Sequence, residues 1–190
     1  MEGREGLVAL VRDARQGDGG AWEALYRRAY PRLLAYARRR LPSDDAARDA
    51  VSETMARAVR GIGRFRDDGN GFDAWLSGIL RHVVLDAQRS AGRRPVTVAD
   101  EVNPPSSAPG PEDVMVAGFD AASVRAAFGR LDEADRELLE LRVVLGLSSD
   151  EVASVLGKRA GAVRMAQSRA LDRLRAHLVA LDPEAVGHGG

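Results

Sequence analysis

The sequence contains no cysteine, and lysine occurs once, at Lys158. Without cysteine there is no disulfide, no thiol nucleophile and no cysteine-ligated zinc, which suits a reducing, cytoplasmic setting. No apolar run approaches the roughly 18 residues that a spanning helix needs, so no membrane insertion is expected. The opening MEGREGLVALVRDARQGD sets charges around a short helical repeat, in place of the unbroken apolar core of a secretory signal. Also missing are a nucleophile–base pair, a phosphate-cradling glycine loop and any metal-ligand spacing. An enzyme is therefore not expected, nor a cofactor or metal. His82 and Asp86 stand one helical turn apart, but no third partner accompanies them.

Net charge is lacking too: 28 basic and 28 acidic residues cancel. The zero is an average over unlike segments. Residues 1–94 hold 18 arginines against 13 acids, a net of +5. Residues 95–119 hold no base and four acids, and residues 120–157 hold four bases and eight acids, so each nets −4. Residues 158–179 hold six bases and one acid, Asp172, a net of +5. Two basic blocks separated by acidic ones suit a protein that turns only some surfaces to a polyanion. A solvated surface with uneven charge is the plainer reading.

What is present is helical periodicity. The 190 residues, 45% apolar, fit one medium domain or two small ones. Trp22, Leu25, Tyr26, Ala29, Leu33, Tyr36, Ala37 and Leu41 recur at three- and four-residue steps, with Pro31 expected to kink the helix or to sit in its early turns. Ser43 or Asp44 can cap the next helix, which carries Ala47, Ala50, Val51, Thr54, Met55, Ala58 and Val59 on one face. Gly61 and Gly63 close it, and the loop Arg66–Gly71 is rich in turn formers. Phe72, Trp75, Leu76, Ile79, Leu80, Val83 and Val84 mark a further helix to about Ser90.

Residues 92–111 hold five of the eight prolines and read as an extended linker. A second helical unit follows, and DPEAVGHGG reads as a disordered tail. No segment reads as a strand of consequence. The expectation is an all-α fold of two small helical domains, residues 1–94 and 120–181, joined by a linker over 95–119, with a tail over 182–190.

Ser148 and Glu151 have capping-box spacing, Gly157 supplies a tight turn, and a basic helix starts near Ala160. Helix, glycine turn and basic helix form the helix-turn-helix pattern, whose second helix enters the major groove. Arg164, Gln167 and Ser168 are read as facing away from Val163, Ala166 and Ala170. Arginine and glutamine can pair bidentately with guanine and adenine edges. Lys158, Arg159, Arg169 and Arg173 suit phosphates or structural pairs. An amphipathic hairpin with a solvated basic face is the alternative.

The stretch from Asp44 to Ala58 resembles the polymerase-binding helix of sigma region two, through Asp49, Val51, Glu53, Thr54, Arg57 and Ala58. Arg48 and Ser52 depart from the family's usual acid and glutamine. Arg64-Phe65, Phe72-Asp73-Ala74-Trp75-Leu76 and the helix Leu80–Asp86 with its basic end are similar to later region-two motifs, with a loop about one residue longer than usual. Leu131 to Leu178 resembles sigma region four. The chain thus resembles a sigma-70 family factor of the extracytoplasmic-function type.

The resemblance implies an initiation factor that binds the beta and beta-prime subunits of core RNA polymerase and recognises promoter DNA. It assigns polymerase contact to Asp49, Ser52, Glu53 and Arg57, and −10 contact to Asp68, Asn70, Phe72, Arg81, Arg89, Arg93 and Arg94. It assigns −35 contact to Lys158, Arg159, Arg164, Gln167, Ser168, Arg169 and Arg173. The loop Asp67–Phe72 captures a flipped base on this reading and is a plain turn on the other. Phe72 and Trp75 also read as core. The linker, with Asp100, Glu101, Glu112 and Asp113, is either an occupant of a basic polymerase channel or a passive tether. With no fused regulatory domain in the sequence, control by expression or by a separate protein such as an anti-sigma factor is expected. The competing reading is a stand-alone helix-turn-helix regulator that binds operators as a dimer.

Overall fold

The computed structural model describes residues 2–67, 69–92 and 120–181. Among them there is no β-strand, and they divide into two compact units, one carrying residues 2–92 and the other most of residues 120–181.

The first unit holds α1 (Glu2–Arg15), α2 (Gly19–Arg40), α3 (Asp44–Gly61), a short 3-10 turn (Ile62–Arg64) and α4 (Gly71–Ser90). Asp18 starts α2 by accepting the Ala21 N–H at 2.8 Å. The helix runs unbroken through Pro31, deep in its interior, so the early-turn placement does not hold. Ser43 is the cap of α3, accepting the Ala46 N–H at 3.2 Å. Helix α1 packs on α2, and α2, α3 and α4 pack on one another. Their shared interior is filled by Leu25, Tyr36, Val51, Leu76, Leu80 and Val84, each almost fully buried. Burying each aliphatic side chain of that size contributes about 1.5–3 kcal/mol. Thr54 is buried among them without loss, because its hydroxyl donates to the Ala50 carbonyl at 2.7 Å. Val59 departs from the expected inner face of α3: it is 52% exposed.

The second unit holds α5 (Ala121–Gly129), α6 (Glu133–Val143), α7 (Ser149–Leu156) and α8 (Ala160–Leu181). Asp120 caps α5 by accepting the Ala122 and Ser123 N–H groups, and Asp132 caps α6 by accepting the Asp135 N–H. The long α8 packs against α5 and α6 through Val163, Ala170, Leu174 and Leu178. At the head of α7, Ser148 Oγ accepts the Glu151 N–H at 3.2 Å and Glu151 returns a carboxylate to the Ser148 N–H at 2.6 Å. This is the reciprocal capping box.

The α7–α8 turn closes as a Schellman motif: Lys158 N–H donates to the Ala153 carbonyl at 2.8 Å and Gly157 N–H to Ser154 at 3.3 Å. The motif needs Gly157 at φ +63°, a left-handed conformation that costs a residue with a Cβ. Open space surrounds the position a Cβ would take, so the cost of substitution is conformational alone. Gly157→Ala should therefore destabilise the second unit by about 1–2 kcal/mol, and Gly157→Asn by less, as read from chemical denaturation of the two variants.

Candidate functional site

The outward face of α8 is set by its inward one. With Val163, Ala170, Leu174 and Leu178 buried, Arg164, Ser168 and Arg169 are left exposed, and Lys158 and Arg159 are exposed in the turn before them. Among the described residues, Lys158, Arg159 and Arg169 have no carboxylate partner. Arg164 lies 3.7 Å from Asp150, both side chains largely exposed, which is too loose to hold it. Met165, 64% exposed, joins this face. Sequence reading passed over it, although an apolar residue out of phase with the buried stripe is a signal of an outward-facing contact.

Two members of the expected DNA-facing set are engaged by other side chains of the unit. Gln167 does not lie opposite Val163. Four residues at about 100° each bring it round to within about 40° of that core position. It is half-buried, and its Oε1 accepts from Arg142 Nε at 2.9 Å. Arg173 is bound to Asp135, with both Nε and a terminal nitrogen 2.5 Å from Oδ2. Asp135 is 6% exposed, so the pair ties α6 to α8.

In the first unit, Asp49 and Ser52 are exposed on α3, and Glu53 and Arg57 are half-exposed one turn on. Arg57 donates to Glu53 Oε1 at 2.7 Å, and Arg60 lies 3.6 Å from the same oxygen. The hydrogen bond from Arg57 holds the Glu53 carboxyl below its ordinary range, and the neighbouring positive charges add to it. Asp44 at the start of α3 is lowered in the same way by Arg38, with Arg48 2.5 Å away. Val59 is exposed two turns beyond Ser52 on the same face, so the surface is charged with an apolar spot.

The loop before α4 is shaped by Asp67, whose Oδ1 accepts the N–H groups of Gly69 and Gly71, both at 3.1 Å. Asn70 is half-exposed at its tip; Asp68 lies outside the described residues. Phe72 is 3% exposed, edge-on to Phe65 at 6.0 Å and 5.6 Å from Trp75. It is a core residue here, almost wholly covered. A cavity of about 340 Å³ opens beside the loop, lined by Leu7, Val8, Val11, Phe65, Asp67 and Phe72.

Along α4, Arg81 is half-exposed and Arg89 is exposed with Asp86 at 2.8 Å. Asp86 also faces Arg57 at 4.0 Å, so its partners are cations, while His82 Nδ1 donates to the Gly78 carbonyl at 2.7 Å. Arg93, Arg94, the linker acids and the tail lie outside the described residues.

Comparison with known proteins defines the class. A family model described as Sigma-70 region 2 matches residues 25–94, and one described as Sigma-70, region 4 matches residues 121–174. The ECF RNA polymerase sigma factor ShbA of Streptomyces griseus is 39% identical over 90% of this chain and 94% of its own length. The ECF RNA polymerase sigma factor SigD of Mycobacterium tuberculosis is 36% identical over 95% of this chain and 87% of its own. The solved structure of CnrH, in complex with the cytosolic domain of CnrY, superposes with a TM-score of 0.66 at 29% identity, covering 90% of this chain and 96% of that one. Two helical units of these kinds, in this order, make up a transcription initiation factor with a helix-turn-helix. The chain belongs to the sigma-70 family, as an extracytoplasmic-function RNA polymerase sigma factor. The region-two match over α2–α4 leaves the stand-alone operator-binding regulator without support.

The Asp135–Arg173 pair yields a stability prediction. Arg173→Met leaves a buried carboxylate short of its main partner. Because Arg173 is itself 46% exposed, the cost should be about 1–3 kcal/mol in denaturant unfolding, below that of a fully buried pair.

Proposed function

We propose that this chain acts in the cytoplasm as a non-catalytic subunit that brings core RNA polymerase to promoters. The observation that carries the reading is the pairing of a region-two match with a helix-turn-helix whose cations at Lys158, Arg159 and Arg169 are not spent on carboxylates. Residues 1–94 would bind the polymerase and the −10 element, residues 120–181 the −35 element, and residues 95–119 would join them. No helix among the described residues is long and apolar enough to cross a membrane.

The polymerase surface is assigned to Asp49, Ser52, Glu53 and Arg57 on α3, with Val59 beside them. A charged rim around a small apolar spot suits an interface that forms and releases. The −10 surface is assigned to the Asp67–Gly71 loop with Asp68 and Asn70, and to Arg81, Arg89, Arg93 and Arg94. Phe72 supports that loop from beneath. The −35 base contacts are assigned to Arg164 and Ser168, with Lys158, Arg159 and Arg169 on phosphates. A protein partner is also proposed, with an anti-sigma factor as the expected kind; the structure of CnrH, solved in complex with the cytosolic domain of CnrY, supports a protein partner.

Two experiments test these assignments. Asp49→Ala combined with Glu53→Ala should weaken binding to core polymerase by at least about tenfold, while the holoenzyme formed at saturating polymerase keeps the wild-type promoter preference. Unchanged polymerase affinity would remove α3 from the interface. Arg164→Ala should cost about 1–3 kcal/mol at one −35 base pair; an equal loss on every sequence would make it a phosphate contact.

A further inference from the structure

We infer that Arg142 and Gln167 form a clamp that positions the recognition helix, and that Gln167 reads no base. The inference rests on the proposal that α8 reads the −35 element, and deepens it. Arg142 stands in the last turn of α6. Its Nε donates to Gln167 Oε1 at 2.9 Å, and one terminal nitrogen donates to the Leu147 carbonyl. Leu147 immediately precedes the Ser148 cap of α7. One guanidinium thus ties the end of α6, the entry to α7 and the second turn of α8.

The chemistry fixes which end of the amide is engaged. A guanidinium donates and never accepts, so the oxygen of Gln167 is the atom that faces it. Arginine's planar fork suits two acceptors at a set angle, where a lysine would act as a point charge. Reading adenine needs the carbonyl and the amino group of glutamine together, in one plane, on N6 and N7. In this structure the carbonyl is engaged by Arg142, at a helical position about 40° from Val163 and about 100° from Ser168. The side chain is therefore placed to hold the helix, beside the Arg164 and Ser168 positions proposed to read DNA. Base-reading groups must be held to within a fraction of an ångström, which makes such a support consequential.

The test uses the full chain reconstituted with core RNA polymerase, on a promoter selected by the wild-type holoenzyme from a randomised library. Each −35 base pair is then replaced in turn. Gln167→Leu removes the acceptor and should weaken binding on the order of tenfold on every −35 variant alike, with the base preference at each position unchanged. Gln167→Glu keeps an acceptor for Arg142, now charge-assisted, and should retain wild-type affinity and preference. Arg142→Met, which also frees the Leu147 carbonyl, should cost at least as much as Gln167→Leu, and the double variant should be no worse than Arg142→Met alone. A loss confined to one base pair in Gln167→Leu, or a changed preference at one position in Gln167→Glu, would overturn the clamp and make Gln167 a base reader. If Arg142→Met does not fold, the two Gln167 variants decide the question alone. Failure of the −35 proposal itself looks different: the wild-type holoenzyme would bind all −35 replacements equally. In that case the clamp is tested by thermal unfolding of the free proteins, where coupling between positions 142 and 167 supports it and additivity refutes it.

Discussion

Pairing between guanidinium and carboxylate decides what this chain can present to a polyanion. Its bases and acids are equal in number, so a carboxylate is available in principle for every cation. The fold distributes those carboxylates unevenly. Arg28 is taken by Asp73, Arg57 by Glu53, Arg89 by Asp86 and Arg173 by Asp135. Around the α7–α8 turn the nearest acid, Asp150, stands at 3.7 Å from Arg164, and Lys158, Arg159 and Arg169 are left to solvent. A paired arginine has part of its charge offset by its partner, and an unpaired one presents the whole of it. The exposed positive charge of the second unit thus comes less from how many cations it has than from where its acids are not.

Local chemistry was legible in the sequence. The Ser148–Glu151 box, the Ser43 cap, the glycine turn at Gly157 and the start of the last helix at Ala160 all depend on groups a few residues apart, and each stands where the residue types place it. Contacts between distant segments were not. Arg142 meets Gln167 across 25 residues and Asp135 meets Arg173 across 38. Neither pairing leaves a trace in the spacing of either partner, and both engage residues that look available for DNA. Val59 was misplaced for a related reason: α3 buries its inner stripe against α2 and α4, which do not reach that far round the helix. Phe72 carried two readings in the sequence, and its burial against Phe65 and Trp75 selects the core one.

The two units solve a common problem at small size. Each helix must bury one stripe to be stable and expose another to work. On α3 the buried stripe of Ala47, Ala50, Val51, Thr54 and Ala58 leaves Asp49, Ser52 and Glu53 outward. On α8 the stripe of Val163, Ala170 and Leu174 leaves Arg164 and Ser168 outward. Each outward face is thus carried by a helix held on its opposite side. The Asp67 carboxylate does comparable work for a loop, gathering two backbone N–H groups before any ligand arrives.

The near absence of lysine has a consequence for the exposed face of the recognition helix. A guanidinium does not lose its proton at any pH a cell reaches, and no histidine occurs between Ala160 and Ala176. Arg159, Arg164 and Arg169 stand there as exposed cations. Dissolved ions compete for them, because the attraction between exposed cations and a phosphate backbone is shared with every counterion in the solution. The pull of this face is thus set by the ionic strength of its surroundings.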